Sequence, residues 1–208
     1  EINKPIIIDG LSQTEKYGDR NLDGPEIVID ASMVVGEETL FYFRKSGFEI
    51  SGISITNFKG KGVIETKKAK GSVHDISIRN SNIGLYLYKA SGVKIRNVSL
   101  LNLKYGLYLY YSNFNIVEDI YVERCDYGIR LYYSMNNEIK DSTVVKCDSG
   151  IRVFYNSIKN KIHDNKISKN IDGIWLRDSH NIENYVFNNE FTENTNGFHL
   201  LYGTKTQI

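Results

Sequence analysis

A five-residue phrase that occurs twice constrains this chain more than any other feature. Gly-Leu-Tyr-Leu-Tyr stands at 84–88 and again at 106–110, 22 residues on. The same step finds Gly62, Gly84, Gly106, Gly128 and Gly150, then Gly173 after 23 residues and Gly197 after 24. After each glycine, apolar residues alternate with variable ones. One inward column reads Val63, Leu85, Leu107, Ile129, Ile151, Ile174, Phe198, and the next Glu65, Leu87, Leu109, Leu131, Val153, Leu176, Leu200. A period of two with one apolar face predicts a strand, and Glu65 is the one break in these two columns.

A second strand follows, with columns Val73, Ile95, Val117, Ile139, Ile162, Val186 and, five residues on, Ile78, Leu100, Val122, Val144, Ile167, Phe191. Between them runs Asp75, Asn97, Asp119, Asp141, Asp164, Asn188. Asx residues tolerate left-handed backbone, so this column predicts a sharp corner between strands. A 22-residue unit of short strands cannot bury its apolar face alone, so copies must stack along an axis. Equivalent residues then lie one strand spacing apart, about 4.8 Å. The 208 residues suffice for about nine such coils. Asn165 and Asn189 follow Ser142 in one inward column, which predicts an asparagine ladder, with loosening toward that end as the competing expectation.

These residues resemble the short-repeat branch of the pectate-lyase-like right-handed parallel β-helix superfamily, with its CASH and NosD-like repeats, over roughly residues 40–208. The resemblance implies an all-β fold, a single-stranded right-handed parallel β-helix, and it is the sole source of the handedness. We read residues 1–208 as one domain, with 1–39 as less regular N-terminal coils and 40–208 as regular repeats, and as a piece of a longer protein. The superfamily includes lyases, hydrolases, epimerases and proteins with no known chemistry, so the likeness alone does not choose a reaction.

Composition narrows the classes. The formal charge is +1, from 26 basic and 25 acidic residues without long single-sign runs, which gives no nucleic-acid footprint. No apolar run approaches the ~20 residues that span a bilayer, so direct membrane insertion is not expected. Aromatic content stands out instead, with 15 Tyr and 9 Phe. Cys125 and Cys147 are 22 apart in one inward column and should stack as buried thiols, a ladder disulfide or, least in keeping with two ligands, a metal site.

Asp19, Asn21, Asp23 and Asp30 fit Asp-x-Asn-x-Asp-Gly with an acid at position twelve, a spacing that wraps oxygens around Ca²⁺. A polar entry loop whose acids cap turns is the competing reading. Copper, which the NosD-like name implies, asks for converging His, Met or Cys. Here His74, His163, His180 and His199 lie far apart or in different columns, with Met33 and Met135 the two methionines, so no copper site is expected.

Outward positions after each glycine build an exposed stripe: Tyr86, Tyr108, Arg130, Arg152, Trp175, His199 beside Tyr88, Tyr110, Tyr132, Phe154, Arg177. Sugar rings stack on aromatics while arginine bonds hydroxyls or acid groups. The candidate carbohydrate contacts are therefore Tyr86, Tyr108, Tyr110, Arg130, Tyr132, Arg152, Trp175 and Arg177. Stacked tyrosines also stabilise a parallel sheet, and such a patch equally suits a neighbouring surface protein or an oligomer. The expected role is that of an extracellular or cell-surface module binding polysaccharide or assembling with protein. The alternative is a lyase or glycoside hydrolase acting on an acidic polysaccharide through Asp126, Asp148, Arg130 and Arg152.

Overall fold

The computed structural model describes residues 4–18, 24–177 and 183–201. Within them the chain winds as a right-handed parallel β-helix, every strand pairing in parallel with its equivalent one turn away. Three faces follow in each turn, and each stacks eight levels. Face A carries Ile8, Ile50, Val73, Ile95, Val117, Ile139, Ile162 and Val186 in one register. Face B carries Ile29, Ile55, Ile78, Leu100, Val122, Val144, Ile167 and Phe191. Face C carries Phe41, Ile64, Leu85, Leu107, Ile129, Ile151, Ile174 and Phe198. Most of these side chains have no exposed surface, so the interior is a set of like-on-like apolar ladders.

Eight levels replace the nine expected from length. The first turn, from Ile8 to Ile50, consumes 42 residues rather than 22. It contains a seven-residue helix, Leu11–Tyr17, which the repeat did not foretell. Asp9 Oδ1 accepts the Leu11 N–H at 2.9 Å and so turns the chain out of the first strand.

The Asx column does form the corner between faces A and B. Asp75, Asn97, Asp119, Asp141, Asp164 and Asn188 all hold φ between 48° and 55°. Two further corner columns share this left-handed backbone. Asn80, Asn102, Arg124, Lys146 and Lys169 separate B from C, and Lys89, Tyr111, Tyr133 and Tyr155 separate C from the next turn's A. Left-handed tyrosine is uncommon, because its Cβ crowds the following carbonyl.

The glycines after the B–C corner are required by close approach. A Cβ on Gly128 would lie 2.6 Å from the Gly150 carbonyl oxygen and 2.9 Å from Val144 Cγ1. Gly62 is not one of this column: with Ile64 paired to Leu85 it falls opposite Ile83, and a Cβ there would meet nothing nearer than 3.6 Å. The step there is 21 residues: Ile64 pairs with Leu85, Glu65 with Tyr86 and Thr66 with Leu87. The placing of Val63 and Glu65 in the inward columns is therefore corrected by one residue. Period-two geometry makes that slip turn Glu65 from the core to the outer side of face C.

Later turns lengthen in one place. Phe154 pairs with Tyr132 at a step of 22, while Lys161 pairs with Glu138 at a step of 23, so the added residue lies between Phe154 and Lys161. Tyr155 and Asn156 there are both left-handed.

Asparagine ladders line the interior toward the C-terminal side. In the first, the Nδ2 of Asn115, Asn137 and Asn160 donates to the Oδ1 of Asn137, Asn160 and Asn184 at 2.9, 3.0 and 3.1 Å. Each Oδ1 also accepts the backbone N–H of the rung before it. Asn165 and Asn189 repeat the arrangement above Ser142, as do Asn170 and Asn194 above Cys147. Along these ladders the interior stays hydrogen-bonded where it ceases to be apolar. Cys125 and Cys147 are free thiols, 3% and 2% exposed, pointing at the Glu123 and Val145 carbonyls.

Candidate functional site

The outer side of face C presents three columns. The middle one reads Glu65, Tyr86, Tyr108, Arg130, Arg152, Trp175, His199, and the column toward the next corner Lys67, Tyr88, Tyr110, Tyr132, Phe154, Arg177. All eight candidate carbohydrate contacts thus share one surface. The third column, Tyr105, Tyr127, Ser149, Asp172, was missed in the sequence, although Tyr-Gly at 105–106 and 127–128 signals it.

The rings form a continuous lattice. Centroids lie 5.3 Å apart for Tyr86 and Tyr108, 5.6 Å for Tyr88 and Tyr110, and 5.0 Å for Tyr105 and Tyr127. Along the corner, Tyr111 and Tyr133 stack at 4.8 Å with 3° between planes. Trp175 lies parallel to His199 at 5.2 Å and edge-on to Phe154.

The arginines are embedded in this lattice. The Arg130 guanidinium carbon is 5.2 to 5.6 Å from four ring centres, those of Tyr105, Tyr108, Tyr127 and Tyr132, and Nη1 donates to the Tyr105 hydroxyl at 3.2 Å. Arg152 sits 4.0 Å from Phe154 and 4.2 Å from Trp175, within cation–π range. Arg130 and Arg152 are direct ladder neighbours. Among the described residues neither forms an ion pair with a carboxylate. Burial holds the Arg152 guanidinium below its ordinary value, and the like charges of Arg130 and Arg177 add to that. Burial likewise pushes the Tyr108 phenol up to about 12, against an opposing pull from Arg130, and raises Tyr86 further.

Asp126 and Asp148 are exposed at the B–C corner, one level apart, and Asp172 sits one column nearer the sheet. The structure brings these acids to the rim of the face and leaves Arg130 and Arg152 among the rings.

A second feature lies at the other end of the stripe. Glu65 is 4% exposed, and its Oε2 accepts from Thr39 Oγ1 at 2.9 Å and Lys61 Nζ at 2.8 Å. It borders a cavity of about 260 Å³ walled by Tyr42, Tyr86 and Tyr88.

Of the calcium set, Asp19, Asn21 and Asp23 lie outside the described residues. Asp30 Oδ1 accepts the Ser32 N–H at 3.0 Å and Asn57 Nδ2 at 3.1 Å, and these bonds lower its carboxyl below the usual range. For copper, no three of His, Cys, Asp and Glu converge among the described residues. His163 has both ring nitrogens engaged, by Asp164 at 2.6 Å and Glu138 at 3.1 Å, and His74 is held by Asp75 at 2.6 Å. The two thiols are closed inside the stack, where the contact with Cys147 and burial hold the Cys125 thiol far above its ordinary value. This donor set does not fit a copper ion. His180 lies outside the described residues.

No curated protein sequence matches the chain. Among solved structures, a mutant of the periplasmic alginate epimerase AlgG is similar at 17% identity, TM-score 0.42, with 86% of this chain and 54% of that one covered. An alginate lyase from Paenibacillus follows at 14% identity and TM-score 0.40, covering 83% and 77%. The A-module of an Azotobacter vinelandii mannuronan C-5 epimerase follows at 12% and 0.38, covering 89% and 82%. The chain thus spans about half the length of the first of these proteins. Residues 43–208 match the family described as "Periplasmic copper-binding protein (NosD)", and the chain belongs to that family.

Proposed function

We propose that this protein is a periplasmic or cell-surface β-helix module that binds a polysaccharide along the outer side of face C. One observation carries the reading: Arg130 and Arg152 are stacked directly on one another with no carboxylate partner among the described residues. Like charges opposite each other destabilise a sheet, so ladder stability explains the tyrosines and leaves this pair unexplained. Two half-buried guanidiniums in an aromatic surface suit a chain that offers rings to stack and acid or hydroxyl oxygens to bond. Asp126 and Asp148 stand exposed at the rim rather than desolvated beside the arginines, so the geometry favours holding a chain over cleaving it.

The test is affinity electrophoresis in gels containing acidic or neutral polysaccharides. Retardation by an acidic polymer, lost in Trp175→Ala and in Arg152→Ala while the melting temperature holds, is the expected result. Absence of retardation in every gel, together with a self-associated state dispersed by the same substitutions, would make face C an assembly surface instead.

A further inference from the structure

The cavity at the N-terminal end of the stripe has a composition unlike the arginine zone. Its floor is Glu65, a carboxylate more than nine-tenths buried, whose bonds from Thr39 and Lys61 both fall on Oε2. Oε1 takes no hydrogen bond from any described residue, although Glu65 lines the cavity. Oε1 is not sealed off from solvent, so a donor, from water or from a ligand, reaches it through the cavity. The walls are aromatic: Glu65 stands between Tyr42 and Tyr86 on one column of face C, and Tyr88 lies one column over at the level of Tyr86. Two ammonium groups lie over those walls, Lys61 at 4.9 Å from the Tyr86 ring and Lys67 at 5.5 Å from the Tyr88 ring. With Glu38 and Glu65 also lining the space, two acids face two bases and the pocket is charge-balanced.

We propose that this pocket binds one neutral hexopyranose ring of the glycan, with Glu65 Oε1 accepting from a ring hydroxyl and a tyrosine stacking on the sugar face. Three arguments fix the ligand class. A carboxylate oxygen open to the cavity calls for a donor, which ring hydroxyls supply, so Oε1 selects a hydroxyl-bearing ring of either charge. The balanced charge gives no net attraction for an anion, unlike the unpaired arginines further along. About 260 Å³ is below the ~300–1,000 Å³ typical of sites for drug-sized molecules, so it holds a single ring. Glu65 and Arg130 are three levels apart on one column, roughly 14 Å at ~4.8 Å per level. The face would therefore read a mixed chain, with a neutral residue in the pocket and acidic residues over the arginines. This inference rests on the polysaccharide reading above.

Saturation-transfer NMR on the 208-residue chain tests it, with D-glucose, D-galactose and D-mannose against D-glucuronate and D-mannuronate. At least one neutral hexose should give a signal that falls five-fold or more in Glu65→Gln and in Tyr42→Ala, and the uronates should give a weaker one. Tyr42→Ala changes an outward rim residue and decides the matter if Glu65→Gln does not fold. Silence from all three hexoses, a stronger uronate signal, or a hexose signal indifferent to both substitutions would overturn the pocket. If polymer retardation still depends on Trp175 and Arg152 in that event, the pocket alone has failed. If retardation is absent too, the polysaccharide reading fails with it.

Discussion

Replacing Asn137 by alanine should destabilise the protein by about 4 kcal/mol, as much as truncating a buried leucine. Asn137 is 1% exposed. Its Oδ1 accepts from Asn115 N and Asn115 Nδ2, and its Nδ2 donates to the Ser112 carbonyl and to Asn160 Oδ1. After truncation Asn160 Oδ1 keeps the Asn137 backbone N–H at 2.9 Å. Three buried groups lose their partner: the Asn115 backbone N–H, the Asn115 side-chain amide and the Ser112 carbonyl. Each unmade bond costs roughly 1–3 kcal/mol, and a water entering the vacated space offsets part of the sum, which places the total near the lower half of that range times three. Urea unfolding followed by circular dichroism measures the loss, and amide exchange at Asn115 locates it, because a stacked repeat need not unfold in one step. The exposed Asp126→Ala serves as control and should stay within about 0.5 kcal/mol. A loss below ~1 kcal/mol for Asn137→Ala with an unchanged urea dependence would refute the ladder as a stabilising element.

Gly128→Ala should cost more than about 2 kcal/mol, because its Cβ would collide with the Gly150 carbonyl, whereas Gly62→Ala should be nearly neutral; equal melting temperatures would contradict the register drawn at Gly62. The Tyr108 phenol, raised from 10 to about 12, binds its proton more tightly folded than unfolded, so its contribution is intact below pH 10 and is lost as pH climbs from about 10 to about 12. Tyr108→Phe should therefore flatten the fall of melting temperature across that window, and an unchanged slope would argue against burial as the cause. Millimolar Ca²⁺ should raise the melting temperature through residues 19–30, an effect that Asp19→Ala with Asp23→Ala removes; no rise in the intact chain ends that reading.

What could be read in the sequence was whatever the repeat copies. Leu85, Leu107 and Ile129 announce their column by recurrence, and the Asx corner is visible because six acids or amides recur at 22 to 24 residues. The first turn has no second copy to align with, so the Leu11–Tyr17 helix and the 42-residue step stayed hidden. At Gly62 the glycine imitated the register, and because Val63 and Ile64 are both apolar, either choice yields a plausible column. Asparagine was foreseen beside Ser142, yet the longer ladder at Asn115 was not, since a polar residue in one column reads as a turn until its neighbours above and below are in place. For the site, column membership was legible and side-chain direction was not. Asp126 lies four residues before Arg130, close enough in sequence to suggest a pair, but Asp126 sits at the corner with its carboxylate in solvent, while the strand that follows lays the Arg130 guanidinium onto the sheet.

The position of the added residues in the later turns has a consequence for how such a molecule can change. Turns of 22, 23 and 24 residues stack without loss of pairing because the surplus is confined to the corner after face C, and the next column, Asn137, Asn160, Asn184, hooks each turn onto its neighbour immediately afterwards. A length change there is absorbed before the following strand begins, whereas the same change inside a face would invert every side chain beyond it. That corner also borders Phe154 and Tyr155, at the edge of the aromatic surface. Inserted loops would therefore rise as walls beside the outer side of face C, so a flat face of this design can deepen into a cleft by lengthening a single corner.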